Sequence, residues 1–451
     1  MKRSGSSIGD PPDVSQARGK AVVAGGIGNF VEWYDFALYG YFATTIATLF
    51  FPGSDSSAAL LKTFAIFGVG FFVRPFGGIL FGHIGDHVGR RSALAISVLL
   101  MSLSTAAIGL LPTHHAVGVA APVLLLCCRL LQGFSAGGEY AGSNAFVIEY
   151  APAGRRGRYA SALPVSVVLG TAAGALVALL VTSQASATSL DSWAWRVPFF
   201  TALPLGLAGL YLRLRIEDSP VFRAVQNAGL VERVPLAGAI RTAKAAMITL
   251  FFWAIANAVG FYLLAGYMIS YLTTQAHLAS TPATLSYVIA LLVFGLSSLA
   301  AGRLTERVDR RVVGIAAAVG LGVAVMPAFA LLGAGSFGSA AAGLSLFGFF
   351  MGGISTTTSL LVVDLFPANV RYSASSLSYN LSYTAFGGSA PYVATWLVSR
   401  THNNLAPGWY LLLAAVISLI TMVLAIRHAP ETLLPETDPV SRQSTPAAGT
   451  L

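Results

Sequence analysis

The chain has 451 residues, 55% of them apolar and only 10% charged, with a mean hydropathy of +0.72. A water-soluble domain carries about 25% charged residues, so the composition excludes an ordinary soluble enzyme. The formal charge of +9 follows from the loop asymmetry described next, so it is no argument for a nucleic-acid partner.

Residues 1–20, with Pro11, Pro12 and several Ser and Gly, read as a disordered tail. No short apolar core with a small-residue cleavage site follows, so it is not a signal peptide. A bilayer-spanning helix needs roughly 20 mostly apolar residues. Twelve such stretches are predicted, at 21–48, 61–82, 92–112, 118–147, 160–182, 195–214, 244–272, 283–302, 312–333, 338–364, 374–398 and 408–427. They form an N-terminal six-helix bundle, 21–215, and a C-terminal one, 244–427. The polar linker 216–243 joins the bundles, and a tail, 428–451, follows. The fold class is therefore an all-α integral membrane protein of twelve transmembrane helices. Cys127 and Cys128 read as two buried thiols within the fourth span. With both termini cytoplasmic, Lys62, Arg196 and Arg400 fall outside, Arg74 and Arg129 within helices, and the other 22 Lys and Arg inside. That obeys the positive-inside rule and predicts a multi-pass protein of the cytoplasmic (inner) membrane.

The two halves repeat two loop motifs. Gly82-His-Ile-Gly-Asp86-His-Val-Gly-Arg90-Arg91 follows the second span, and Gly302-Arg-Leu-Thr-Glu306-Arg-Val-Asp-Arg310-Arg311 follows the eighth, 220 positions on. Glu149-x-x-Pro152-x-x-x-Arg156 and Asp364-x-x-Pro367-x-x-x-Arg371 follow the fourth and tenth spans. The repeat makes the bundles pseudo-symmetric, an arrangement that puts a solute site between them near the midplane. The loop acids and arginines are candidates for a cytoplasmic latch, with Asp86 accepting from a neighbouring helix end and Arg90 and Arg91 reaching Glu149. Glu139, among Gly137, Gly138 and Gly142, is a candidate for the same gate or for a structural pairing.

Charges inside a membrane are costly and mark function. At about 1.5 Å per residue, Asp35 lies roughly 22 Å from the cytoplasmic boundary, Glu32 and Arg74 roughly 18 Å, and Arg129 about 16 Å from the other side. Two acids and two arginines thus meet near midplane. Asp35 is the expected proton carrier, Glu32 the second candidate, and Arg129 the partner that modulates it. Arg74 offers a bidentate fork for a solute carboxylate. The second half carries neutral polar groups instead. Asn257, Tyr262, Asn380 and Tyr383 are candidate solute contacts, and Trp33, Tyr34 or Tyr262 are candidates for an aromatic cage around a quaternary amine.

The loop motifs resemble the hallmark of the major facilitator superfamily, with His87 where the hallmark has Arg. Four further stretches resemble the metabolite:proton symporters of that superfamily. They are Gly28-Asn29-Phe-Val-Glu32-Trp33-Tyr34-Asp35-Phe36, Arg74-Pro75-Phe-Gly77-Gly78, Arg129-Leu-Leu-Gln132-Gly133 running on to Glu139-Tyr140, and Trp195-Arg196-Val-Pro198-Phe199. The resemblance spans essentially all twelve helices and implies a major facilitator fold and alternating access. It also implies that Asn29 and Gln132 belong with the solute contacts.

The expected function is a proton-coupled symporter importing a small carboxylate-bearing organic solute, a di- or tricarboxylate or related acid, as a monomer. The alternative is a zwitterionic osmolyte such as proline or betaine. The tail after the last span lacks the heptads of a coiled coil, which tilts the expectation towards organic acids. An enzyme is not expected, and no metal or cofactor is called for beyond the proton gradient. A drug/proton antiporter and a non-transporting receptor are the remaining rivals.

Overall fold

The computed structural model describes residues 12–53, 56–152, 154–232 and 235–428. The remainder of the two predicted tails, 1–11 and 429–451, lies outside the described residues.

The described residues form helices α1 (Pro12–Tyr41), α2 (Ala43–Phe50), α3 (Ser56–His87), α4 (Arg90–Leu110), α5 (His114–Val117), α6 (Ala120–Glu149), α7 (Arg156–Gln184), α8 (Ala187–Ser192) and α9 (Val197–Leu214). Two short linker helices follow, α10 (Pro220–Asn227) and α11 (Pro235–Thr242). The second half holds α12 (Lys244–Gly266), α13 (Met268–Thr274), α14 (Ser280–Leu304), α15 (Arg310–Gly333), α16 (Phe337–Asp364), α17 (Arg371–Ser382), α18 (Ala390–Thr401) and α19 (Ala406–His428). The first helix begins at Pro12, so residues 12–20 are helical where the sequence suggested a tail.

Among the described residues, ten stretches are long and apolar enough to cross a bilayer. The first and eleventh crossings are the exceptions. The first, α1 with α2, carries Asn29, Glu32 and Asp35 along its middle. The eleventh is split into α17 and α18 by a widened turn, where Gly388 N–H donates to Tyr383 O. Such turns often mark functional positions. With these two the chain makes twelve crossings, six on each side of the linker.

Within each half, small residues bring helix backbones together. A Cβ on Gly133 of α6 would lie 1.9 Å from Gly70 O of α3, and one on Gly137 would lie 2.1 Å from Arg74 O. That close approach sets the arginines of α3 and α6 beside α1. The halves meet where α3 packs on α17 and α7 on α14. Outward faces are apolar: Phe72 and Phe76 of α3 are exposed, whereas Arg74 on the same helix is buried. Cys127 also faces outward and only Cys128 is buried, because a helix turns about 100° per residue, which corrects the reading of two buried thiols.

The end of the bundle that carries the α3–α4 and α6–α7 connections and their repeats, rich in Arg, is its basic face.

Candidate functional site

The four midplane charges pair one to one. Arg129 Nη1 lies 3.1 Å from Asp35 Oδ2, and Arg74 Nη2 lies 2.8 Å from Glu32 Oε1. All four side chains are buried. Asp35 and Glu32 are three residues apart on α1, so the pairs lie one turn apart on one face. Arg129 also rests on the Tyr39 ring, 3.6 Å from its centroid, and Arg74 on Phe71 and Phe36 at 4.7 and 5.0 Å. These contacts partly replace the hydration that burial removes.

Beside the Arg74–Glu32 pair, aromatic rings from both halves pack together. Trp33 lies 4.4 Å from Phe261 and 5.5 Å from Tyr262, and Phe71 lies 5.0 Å from Tyr262. The row continues through Tyr383, Tyr379 and Tyr140, at spacings of 5.9, 4.0 and 4.3 Å. Asn257 donates to the Tyr383 hydroxyl at 2.8 Å and accepts from Ser355 at 2.6 Å.

Several predicted contacts fall elsewhere. Gln132 donates to Asp35 at 2.8 Å and to Thr105 at 2.9 Å, so it braces the acid within the first half. The Tyr34 hydroxyl turns to Thr201 on α9, 2.5 Å away, because position 34 lies about 100° around α1 from Trp33. Asn380 donates across the halves to Gly137 O at 2.6 Å and contacts helix backbone. Asn29 is buried and neither amide atom has a hydrogen-bond partner.

At the basic face two interlocked clusters join the halves. In the first, Asp86 accepts from the amides of Tyr372 and Ser373 at 3.1 and 2.7 Å, at the start of α17. These are amides that a helix start leaves unbonded within the helix. Glu149 receives Arg371 at 2.6 Å, has Arg90 at 3.6 Å, and accepts a hydrogen bond from Ser219 of the linker. Arg90 crosses the halves to Ala368 O at 2.7 Å and packs on the Phe222 ring. The second cluster repeats this plan. Glu306 accepts from the Arg158 amide at 3.1 Å near the start of α7 and pairs with its guanidinium at 2.8 Å. Asp364 pairs with Arg156 at 2.8 Å and Arg310 at 2.9 Å.

Three gate assignments change. Glu139 pairs with Arg213 of α9 and accepts from Ser97 and Ser143, so it ties helices of one half together and does not join the halves. For Arg91 and Arg311 the described hydrogen bonds come from backbone amides, to Asp218 and Asp309. One residue of each Arg pair joins the clusters because its neighbour points about 100° away.

The sequence reading missed Arg213, Arg158, Asp218 and Ser219. Arg158 had a signal: it is the repeat partner of Ser373, whose amide meets Asp86, at the offset that relates Glu149 to Asp364. Arg213 shares a helix face with Gly209, four residues earlier. Asp218 and Ser219 had none, since nothing local says which helix start a linker caps.

Two repeated six-helix halves, locked at one face and holding paired charges at the middle, define a membrane transporter. Residues 21–232 match the sugar (and other) transporter family model, and residues 250–450 match the major facilitator superfamily model. The chain belongs to the major facilitator superfamily. It is 36% identical over 415 residues to the proline/betaine transporter of Escherichia coli (strain K12), covering 90% of this chain and 82% of that one. It is 35% identical to the glycine betaine/proline/ectoine/pipecolic acid transporter OusA of Dickeya dadantii (strain 3937), covering 89% and 82%. Among solved structures, the proton:xylose symporter XylE aligns with a TM-score of 0.76 at 17% identity, covering 92% of this chain and 96% of that one. That likeness is one of fold. These are transporters and not enzymes.

Proposed function

We propose that the protein is a proton symporter importing a zwitterionic solute, an amino or imino acid or a betaine, with its basic face in the cytoplasm. The observation that carries this reading is the one-to-one pairing of the midplane charges beside an aromatic cluster. Arg74 is already neutralised by Glu32. An anionic solute taking Arg74 would leave a buried carboxylate alone, which costs about 3–5 kcal/mol. A zwitterion instead offers a carboxylate to Arg74 and a cation to Glu32, so each charge keeps a partner. The cation also gains the faces of Trp33, Phe71 and Tyr262, worth about 0.5–2 kcal/mol. The relatives named for proline, betaine, ectoine and pipecolic acid support the same choice over a di- or tricarboxylate.

Coupling rests on the neighbouring pair. Protonation of Asp35 would release Arg129, and Gln132 would then face a neutral acid. The basic-face clusters open and close as the halves rock, one protomer acting alone. The test is an uptake panel in proteoliposomes with an imposed pH gradient. Proline, betaine and ectoine are expected to accumulate, while citrate, succinate and shikimate are not. Accumulation of the acids alone would reject the proposal. Asp35→Asn is expected to abolish gradient-driven accumulation while exchange of internal for external solute continues; undiminished accumulation would remove Asp35 from the coupling role.

A further inference from the structure

Burying a hydrogen-bonding group without a partner costs about 1–3 kcal/mol, and the Arg74–Glu32 pair and its neighbours on α1 include several such groups. Glu32 uses Oε1 for Arg74, while its Oε2 has no partner. Arg74 Nε and both amide atoms of Asn29 are also unpartnered. Glu32, Asn29, Arg74 and Tyr262 are each no more than 2% exposed. Asn29, Glu32 and Trp33 share one face of α1, at spacings of three and four residues. Phe71 joins this face to the other two groups, since its ring touches both Arg74 and Tyr262.

The unpartnered atoms divide by chemistry. Arg74 Nε and Asn29 Nδ2 are donors suited to a carboxylate, whereas Glu32 Oε2 and Asn29 Oδ1 are acceptors suited to N–H groups. The rings need no N–H, because they attract a cation through the charge distribution over their faces. The site therefore holds two separate devices for a positive group.

We propose that Glu32 is a specificity-determining residue whose free carboxylate oxygen, with Asn29, receives the N–H groups of a substrate cation. Fully methylated cations rely on Trp33, Phe71 and Tyr262 instead. This rests on the zwitterion reading above and deepens it by dividing that substrate class in two. Proline presents two N–H donors on its nitrogen and glycine betaine none, so the pair isolates the interaction.

The test is solute exchange in proteoliposomes at equal pH on both sides, which removes the demand for net proton movement. Half-maximal concentrations are read for proline and for glycine betaine. Loss of a charge-assisted hydrogen bond weakens binding roughly 10- to 100-fold. Glu32→Gln is therefore expected to weaken both solutes, proline by at least about tenfold more than betaine. Asn29→Ala should move the ratio the same way by about threefold. Trp33→Leu should move it the other way, with betaine losing more. Equal losses for both solutes in Glu32→Gln, or a larger loss for betaine, overturn the proposal. Should that variant fail to reach the membrane, Glu32→Asp gives the same reading: a shortened acceptor must also penalise proline more, and an unchanged ratio overturns the idea. Wild-type protein that exchanges neither solute would reject the zwitterion reading itself, which is a separate outcome from an unmoved ratio.

Discussion

The two clusters at the basic face share one plan but occupy different environments. In the first, the side chains of Asp86, Arg90 and Glu149 are at most 1% exposed and Arg371 is 9% exposed. In the second, the arginines reach the surface, Arg156 41% exposed and Arg158 53%, while their acids Asp364 and Glu306 are 3% and 10% exposed. Removing one partner of a buried pair leaves a stranded charge and costs about 3–5 kcal/mol. An exposed pair contributes about 0–1 kcal/mol and weakens with salt. The repeated motif therefore specifies who pairs with whom, and burial decides how much each pairing matters. The linker accounts for much of the difference. Ser219 and Phe222 close over Glu149 and Arg90, and Asp218 accepts from the amides of Arg90 and Arg91 at 3.2 Å each. In that arrangement Gly89, at φ +136°, stands where a Cβ would come within 2.1 Å of Asp218 Oδ2. The repeat position holds Asp309, which accepts from the Arg311 amide at 2.7 Å without help from a linker.

The sharpest way to break this contrast is Glu149→Gln. It strands Arg371 and leaves Arg90 with Asp86 alone, 3.0 Å away, so turnover should fall at least about tenfold, consistent with the cost of an unpaired buried charge. A cysteine placed at Ser376, on buried α17, should then react faster with reagents from the basic face. Unchanged labelling and turnover would show that the first cluster is not what closes that face. Asp86→Asn is milder, because the amide oxygen still accepts one bond from α17 and Arg90, 3.0 Å from Asp86, keeps Glu149; the lost charge assistance corresponds to about 1.5–3 kcal/mol. Transport should drop while membrane insertion stays normal, and full activity would remove Asp86 from the latch.

A smaller effect is expected at Asp218. Burial holds its carboxyl above the ordinary carboxylate range, with the amide hydrogen bonds and the nearby Arg90 only partly opposing this. The folded state therefore takes up the proton more readily than the unfolded one. From the ordinary value, about 4, up to the raised folded one, stability falls as pH rises, and above that window the burial cost is fully present. Asp218→Asn still offers an acceptor to the two amides and has no charge to bury. Its melting temperature should match or exceed the wild type at neutral pH, with a flatter slope at mildly acid pH. A loss of several degrees would mean that the charge itself stabilises the helix start. The smallest change is predicted for Arg158→Ala, about 0.5 kcal/mol or less. Whatever effect it has should vanish as salt is raised; a loss comparable to Glu149→Gln would erase the distinction between the clusters.

How much could be read without coordinates differed from group to group. Asp35 and Arg129, and the acids and arginines of the two loops, were legible because charge in an apolar run has few inexpensive explanations. The partner of Arg74 was not. Depth placed Glu32 at its level, but whether the guanidinium stood free for a solute or was already neutralised depended on side-chain direction. That point turned the favoured solute from an organic acid towards a zwitterion. Tyr34 and Gln132 looked like solute contacts from their neighbours in sequence, yet each faces another helix of its own half.

By itself the sequence determined the membrane class, twelve spans, a twofold repeat and a shortlist of buried charges. These follow from composition and period, and each is set by local burial in lipid. Tertiary structure alone decided that Glu139 binds Arg213, that the linker seals one cluster and not the other, and that rings from both halves meet beside Arg74. Those outcomes depend on helix rotation and on contacts between segments far apart in the chain, and a rotation of 100° is enough to exchange a site residue for a packing one.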